Sequence, residues 1–292
     1  MIFSISRRTD IPYFYADWFL DKLQKKEIGI FNTYNNKTYT YPLTNEDILV
    51  FWTKDVFNFQ KSINFMVEND YKFYFQYTLN HYPTIIEKNV RPLNDRIKSF
   101  KELSEKIGKD KVIWRYDPII VSNITDVEYH KTTFKDILEK LKNHTSKVII
   151  SILDNYSKIT ENLKNLEKES AMIVEDIVND RKKLSELMYF IKNECEIAGL
   201  ELESCSENNL SEFGIKNGAC VDGNLMTKLF GKEIKHIKDV SQRKECGCMK
   251  SLDVGIYNSC LFNCVYCYAN SNNEKRRIET FKQQKTELIY LK

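Results

Sequence analysis

The chain has 292 residues, 42% of them hydrophobic and 29% charged, with nine Gly, five Pro and a formal net charge of +3. That composition excludes a disordered chain and is enough for a sizeable core. The weak positive charge does not mark a dedicated nucleic-acid binder, and no apolar run is long enough to span a bilayer. The first residues lack the charged-then-apolar order of a secretion signal, so a cytoplasmic location is expected. All eight cysteines lie between Cys195 and Cys267. In a reducing compartment such clustering points to ligation rather than to disulfides.

Strand-like and helix-like stretches alternate from the start. Residues 2–6 read as a strand, 15–26 as a helix and 27–43 as a strand with a hairpin excursion. The continuous apolar run at 48–52 is the pattern of a strand buried on both faces. Helices are expected at 58–69, 91–107 and 126–144, and strands at 72–77, 111–116 and 147–153. A long helical region covers 156–198, broken near 168–171, and a strand follows at 199–204. The cysteine-rich part spans 199–270; within it 252–257 is the last strand, and 272–291 is a closing helix. This βαβα order predicts a parallel α/β fold in one domain, 1–292, with a (β/α) barrel, TIM-like or partial, as its architecture.

Polar residues follow almost every expected strand. They are Arg7, Arg8, Thr9 and Asp10; Thr53 and Lys54; Thr78 and Asn80; Arg115 and Asp117; Asp154, Asn155, Tyr156 and Lys158; and Cys205 with Glu207. C-terminal strand ends share one mouth in a parallel barrel, so these groups are expected to converge on one site. Asp117 and Asp154 are candidates for an acid/base pair there. The four histidines show no ligand spacing, so surface or loop roles are expected for His81, His130, His144 and His236.

The last strand leads into Cys260-Leu261-Phe262-Asn263-Cys264-Val265-Tyr266-Cys267. Thiolates are soft ligands suited to zinc or iron–sulfur clusters, and three on one strand-to-helix loop can meet at a point. The C-x3-C-x2-C spacing, with aromatic Tyr266 before the last cysteine, resembles the signature of the radical S-adenosylmethionine superfamily. That resemblance implies a [4Fe-4S] cluster held by Cys260, Cys264 and Cys267. It further implies S-adenosylmethionine at the open iron, an electron donor such as ferredoxin or flavodoxin, and a 5′-deoxyadenosyl radical acting on a substrate. The superfamily carries its motif after the first strand, whereas here it follows the last; a circular permutation of the barrel would account for this. No Gly-Gly-Glu-like element follows the next strand. Under that permutation Asp10 would take the cofactor's amino group, and Arg7, Arg8 or Lys54 its carboxylate.

A second resemblance covers most of the chain. Ser4 to Pro12, Phe51 to Lys54, Trp114 to Pro118 and Cys246 to Asn270 look like an uncharacterised bacterial family known only as a domain of unknown function. Cys195 falls in a helix and reads as a buried apolar side chain. Cys205, Cys220, Cys246 and Cys248 make four, the number for a second [4Fe-4S] cluster or a zinc site. Two other readings stand beside the radical enzyme. One is a non-catalytic or electron-transfer module with structural zinc or iron–sulfur; the other is a metal-independent barrel enzyme acting through Lys54, Arg115, Asp117 and Asp154. The cationic strand ends favour an anionic substrate.

Overall fold

The computed structural model describes every residue except 33, 34, 36, 155, 156, 232, 272, 291 and 292, and leaves out the side chains of 157, 158, 208 and 283–290. The strands are β1 Ile2–Ile5, β2 Glu27–Asn32, β3 Lys37–Pro42, β4 Ile48–Thr53, β5 Lys72–Thr78, β6 Val112–Ile119, β7 Lys147–Ile152, β8 Glu201–Ser204, β9 Lys216–Asn217 and β10 Leu252–Asp253. The helices are α1 Ile11–Phe14, α2 Ala16–Lys25, α3 Gln60–Glu68, α4 Leu93–Ile107, α5 Val127–Leu141, α6 Ser157–Ser170, α7 Arg181–Ile197, α8 Gly223–Phe230 and α9 Glu274–Tyr290. The hairpin expected at 27–43 is β2 and β3, a separate antiparallel pair.

Eight strands form one sheet in the order β10-β1-β4-β5-β6-β7-β8-β9, and every neighbouring pair is parallel. The last strand lies beside the first, with Leu252 opposite Phe3 and Asp253 opposite Ser4. This sheet matches the parallel α/β expectation, but it does not close into a barrel: no pairing joins β9 to β10 among the described residues. The two edge strands have two residues each, too short for a closing ladder. The expected strand at 252–257 stops at Asp253; Gly255 follows at φ 94°, a conformation that glycine adopts without strain.

Period-2 alternation divides the strands between two cores. Phe3, Phe51, Phe75, Trp114 and Ile150 face the helical layer, packing with Phe19 of α2, Ile63 of α3, Phe100 of α4, Phe134 of α5 and Leu187 of α7. The other face carries Val50, Tyr74, Ile113 and Ile149, covered by Val221, Leu225, Met226 and Met249 from in and around α8. The α8 segment thus occupies the face that the barrel expectation leaves to the strands' own side chains.

Local signals explain the helices. Helix α4 buries Ile97, Phe100, Leu103 and Ile107 at helical spacing, and Gly108 at φ 93° ends it. Helix α5 begins where the Asp126 carboxylate accepts the Tyr129 N–H at 2.8 Å. The break expected within 156–198 is real but longer, running from Ala171 to Asp180 between α6 and α7.

His130 departs from its expected surface role. It is fully buried in α5, with Nδ1 2.7 Å from the Tyr116 hydroxyl and Nε2 2.9 Å from the Ile120 carbonyl. Burial holds its pKa down to about 4, against 6.5 for a free imidazole. Below pH 6.5 the unfolded chain gains a proton that the folded chain refuses until about pH 4, so stability falls as pH drops through that window. Replacing His130 with Gln should flatten this slope in urea melts between pH 4 and 6.5; an unchanged slope would contradict the assignment.

Candidate active site

A cavity of about 650 Å³ lies at the C-terminal ends of the parallel strands. Its wall takes Ser6 and Arg7 after β1, Trp52 of β4 and Lys54 just after it, Thr78 of β5, Arg115 and Asp117 of β6, Ser151 of β7 and Asp154 just beyond it, and Cys205 after β8. Tyr266, Cys267 and Tyr268 close it from the loop after β10. The alternation that sends Phe51, Trp114 and Ile150 toward the helices sends Trp52, Arg115 and Ser151 the other way, to this wall. Of the polar strand-end residues named from sequence, Arg7, Lys54, Thr78, Arg115, Asp117, Asp154 and Cys205 line this cavity, whereas Arg8, Thr9, Asp10, Thr53, Asn80 and Glu207 do not. Asn155 and Tyr156 lie outside the described residues, as does the side chain of Lys158.

The loop carrying Cys260, Cys264 and Cys267 is pinned from three sides. Phe262, buried, packs its ring 4.8 Å from Tyr13 and 4.7 Å from Phe14. The Asn89 side chain donates to the Leu261 carbonyl at 2.7 Å, and its backbone N–H donates to the Phe262 carbonyl at 3.1 Å. Asn270 donates to the Cys260 carbonyl at 2.8 Å, and Arg277 of α9 donates to the Asn263 side chain at 3.0 Å. Cys264 is buried and Cys260 and Cys267 half-buried; of the three, Cys267 reaches the cavity wall. Burial pushes all three thiols up, Cys264 to about 12, so each is protonated at neutral pH and a metal would have to displace the protons.

Next to these thiols sits a buried charge cluster that the sequence did not announce. Lys54 Nζ lies 2.7 Å from Glu87 Oε1 and 2.7 Å from the Tyr266 hydroxyl, which also donates to Glu87. Glu87 is 3% exposed and pairs in an antiparallel bridge with Cys264. Burial alone would raise its pKa, but Lys54 and Arg96 outweigh it and hold the carboxyl below its ordinary value. Glu87 stands several residues beyond β5 in a loop without periodicity, so attention to immediate strand ends passes over it.

The residues after β1 divide their work. Arg7 lines the cavity with its guanidinium 5.1 Å from the Trp52 ring, and its Nη2 is buried without a hydrogen-bond partner. Arg8 turns away: it is 3.0 Å from Asp253 and donates to the carbonyls of Phe31 and Gly255, holding β10 and the hairpin in place. Asp10 is a structural anchor set back from the cavity wall. Its carboxylate accepts from Tyr13 N at 3.0 Å, from Thr53 Oγ1 at 2.8 Å and from Lys54 N at 2.7 Å. It caps α1 and ties the β1 loop to the β4 loop, and burial lifts its pKa to about 7.

On the opposite wall, Asp117 accepts from Arg115 Nε at 2.8 Å and from Ser151, and Asp154 is paired with Arg243. Both carboxylates face the cavity, each already engaged by an arginine. Cys205, Cys220, Cys246 and Cys248 are also on this wall. Among the described residues, no group of three or more His, Cys, Asp or Glu is gathered as a ready-made ion site. Cys195 is buried in α7, as its sequence context suggests.

The family described as a domain of unknown function (DUF1848) matches residues 2–269, nearly the whole chain. The chain belongs to the DUF1848 family. No curated protein and no solved structure matches it. The DUF1848 match takes in the cysteine loop and every cavity strand. Among the described residues, no helix of this DUF1848 chain is long and apolar enough to cross a membrane.

Proposed function

We propose that this DUF1848 protein is a radical S-adenosylmethionine-type iron–sulfur enzyme on a permuted, open (β/α) barrel, with the cluster on Cys260, Cys264 and Cys267. One observation carries the reading: β10 lies beside β1, which brings the three-thiol loop to the same mouth as the cavity. That is the neighbourhood a motif strand would have if one βα unit had moved from the start of the chain to its end.

Such a group calls for soft donors beside an anion-binding pocket; among the described residues no three ligand side chains surround a common point, so the thiols would have to close on the cluster as it binds. Three soft donors share one loop, and an unpartnered guanidinium nitrogen of Arg7 is buried at the adjoining cavity. Cys260, Cys264 and Cys267 would hold the cluster, and the chemistry it would supply there is reductive cleavage of S-adenosylmethionine for hydrogen abstraction from a substrate. In this reading Arg7, whose guanidinium lies over Trp52 and has Nη1 3.8 Å from Asp239, would donate its unpartnered Nη2 to the cofactor's carboxylate. Lys54, engaged by Glu87 and Tyr266, orients the aromatic residue of the motif instead of binding the cofactor. Phe262 with Tyr13 and Phe14 screens the loop from water.

The test is S-adenosylmethionine binding to the anaerobically reconstituted protein, read by electron paramagnetic resonance of the reduced cluster and by titration. Cofactor addition should change the spectrum. Arg7→Met should weaken binding about tenfold or more, on the scale of a lost charge-assisted hydrogen bond. Arg8→Met, altering a residue that turns away from the cavity, should weaken it far less. Protein that takes up zinc but no iron would overturn the proposal.

A further inference from the structure

Four cysteines that the proposed cluster does not use come from three separate segments. Cys205 follows β8, Cys220 stands in the turn before α8, and Cys246 and Cys248 lie on the chain returning to β10. Cys205 Sγ is 3.6 Å from Cys220 Sγ. Cys248 Sγ accepts from the Cys220 and Val221 N–H groups at 3.3 and 3.5 Å, and Cys246, also buried, stands two residues before it on the same loop. Gly247 makes the approach possible: a Cβ there would stand 3.0 Å from the Gly218 carbonyl, so this Cys-Gly-Cys loop is pressed against the turn that carries Cys220.

The surroundings suit anionic sulfur. Arg115 Nη1 lies 2.7 Å from Cys220 Sγ, and the Cys220 carbonyl is fixed by Tyr74 at 2.6 Å and Gln76 at 3.0 Å. Backbone N–H groups and guanidinium donors around thiolates are the supports that orient metal ligands. The one close sulfur pair is compatible with a shared single ion. Two sulfurs on one tetrahedral zinc, each at about 2.3 Å, stand about 3.8 Å apart. The observed 3.6 Å is close to that edge. Because no three of the described ligand-type side chains yet surround a common point, an ion would have to draw the outer sulfurs in.

We propose that Cys205, Cys220, Cys246 and Cys248 form a closed four-thiolate site for a single zinc-class ion, independent of the cluster on Cys260, Cys264 and Cys267. Four protein ligands leave no open position, so its role is structural. The covering segment has little regular structure to hold it, namely α8, the two-residue β9 and one isolated bridge between Lys238 and Met249. An ion at this point would tie β8, the turn before α8 and the return loop into one cavity wall.

The experiment is metal analysis of the Cys260→Ala/Cys264→Ala/Cys267→Ala chain, paired with cobalt(II) substitution of the unaltered chain. About one zinc per chain with no iron is expected, as are the absorption bands of thiolate-bound cobalt. Cys246→Ala/Cys248→Ala should lose both the zinc and the cobalt bands. Iron and sulfide in the triple variant would overturn the zinc assignment in favour of a second cluster. A metal-free chain with Cys205 and Cys220 joined in a disulfide would overturn the site altogether. If the double variant does not fold, a cobalt spectrum of the unaltered chain without thiolate bands decides against the proposal. A wild-type chain that never takes up iron would sink the radical reading and leave the zinc result standing.

Discussion

Cys264→Ala should strip the reconstituted protein of its cluster, taking iron from about four per chain to background. Cys264 is the middle one of the three proposed ligands, buried behind the cavity wall and bridged through its backbone to Glu87. Its thiol is protonated without metal, so removing it deletes no buried charge and the fold should tolerate the change. Two remaining thiolates cannot hold a cube that needs three anchors. Cys195→Ala, altering a buried thiol in α7 away from the cavity, should keep full iron content. Iron and sulfide assays on both variants read the difference. Full iron in Cys264→Ala would show that the ligands are elsewhere.

The second large effect is on stability. Lys54→Met leaves the Glu87 carboxylate buried with Arg96 only as near as 4.0 Å, and should cost about 3–5 kcal/mol in urea unfolding. The Lys54→Met/Glu87→Gln double variant should recover much of that loss, because an uncompensated buried charge costs more than a missing pair. The sign with pH follows from the lowered folded pKa of Glu87. The pair's contribution is present above the unfolded carboxyl value and is lost as pH falls through the folded one. A single variant within about 1 kcal/mol of wild type would mean that the ion pair is not the constraint it looks to be.

Much of the fold could be read from the chain because its signals are local. The apolar run at 48–52 became β4, the stretch 72–77 became β5, and the helical spacing of Ile97, Phe100, Leu103 and Ile107 became one face of α4. Closure of the sheet could not be read, since it depends on whether the α8 segment or opposing strands occupy the inner face. Both choices look equally apolar in Val221, Leu225 and Met226. At the site, Arg7, Lys54, Arg115, Asp117, Asp154 and Cys205, picked out by strand-end position, line one cavity. Strand-end position could not say which way a side chain turns, so Arg8 and Asp10 look like their neighbour Arg7 until their partners across the fold are known. Glu87 shows the same limit from the other side. Its importance comes from Lys54 and Tyr266, which lie 33 and 179 residues away.

The central claim is that the thiol loop and the cavity together cleave S-adenosylmethionine. The most direct measurement is anaerobic incubation of the reconstituted, chemically reduced protein with S-adenosylmethionine, followed by chromatographic and mass-spectrometric detection of 5′-deoxyadenosine. The account predicts 5′-deoxyadenosine from the wild-type protein and none from Cys264→Ala. A protein with a complete, reducible cluster that yields no 5′-deoxyadenosine above the Cys264→Ala background would contradict it.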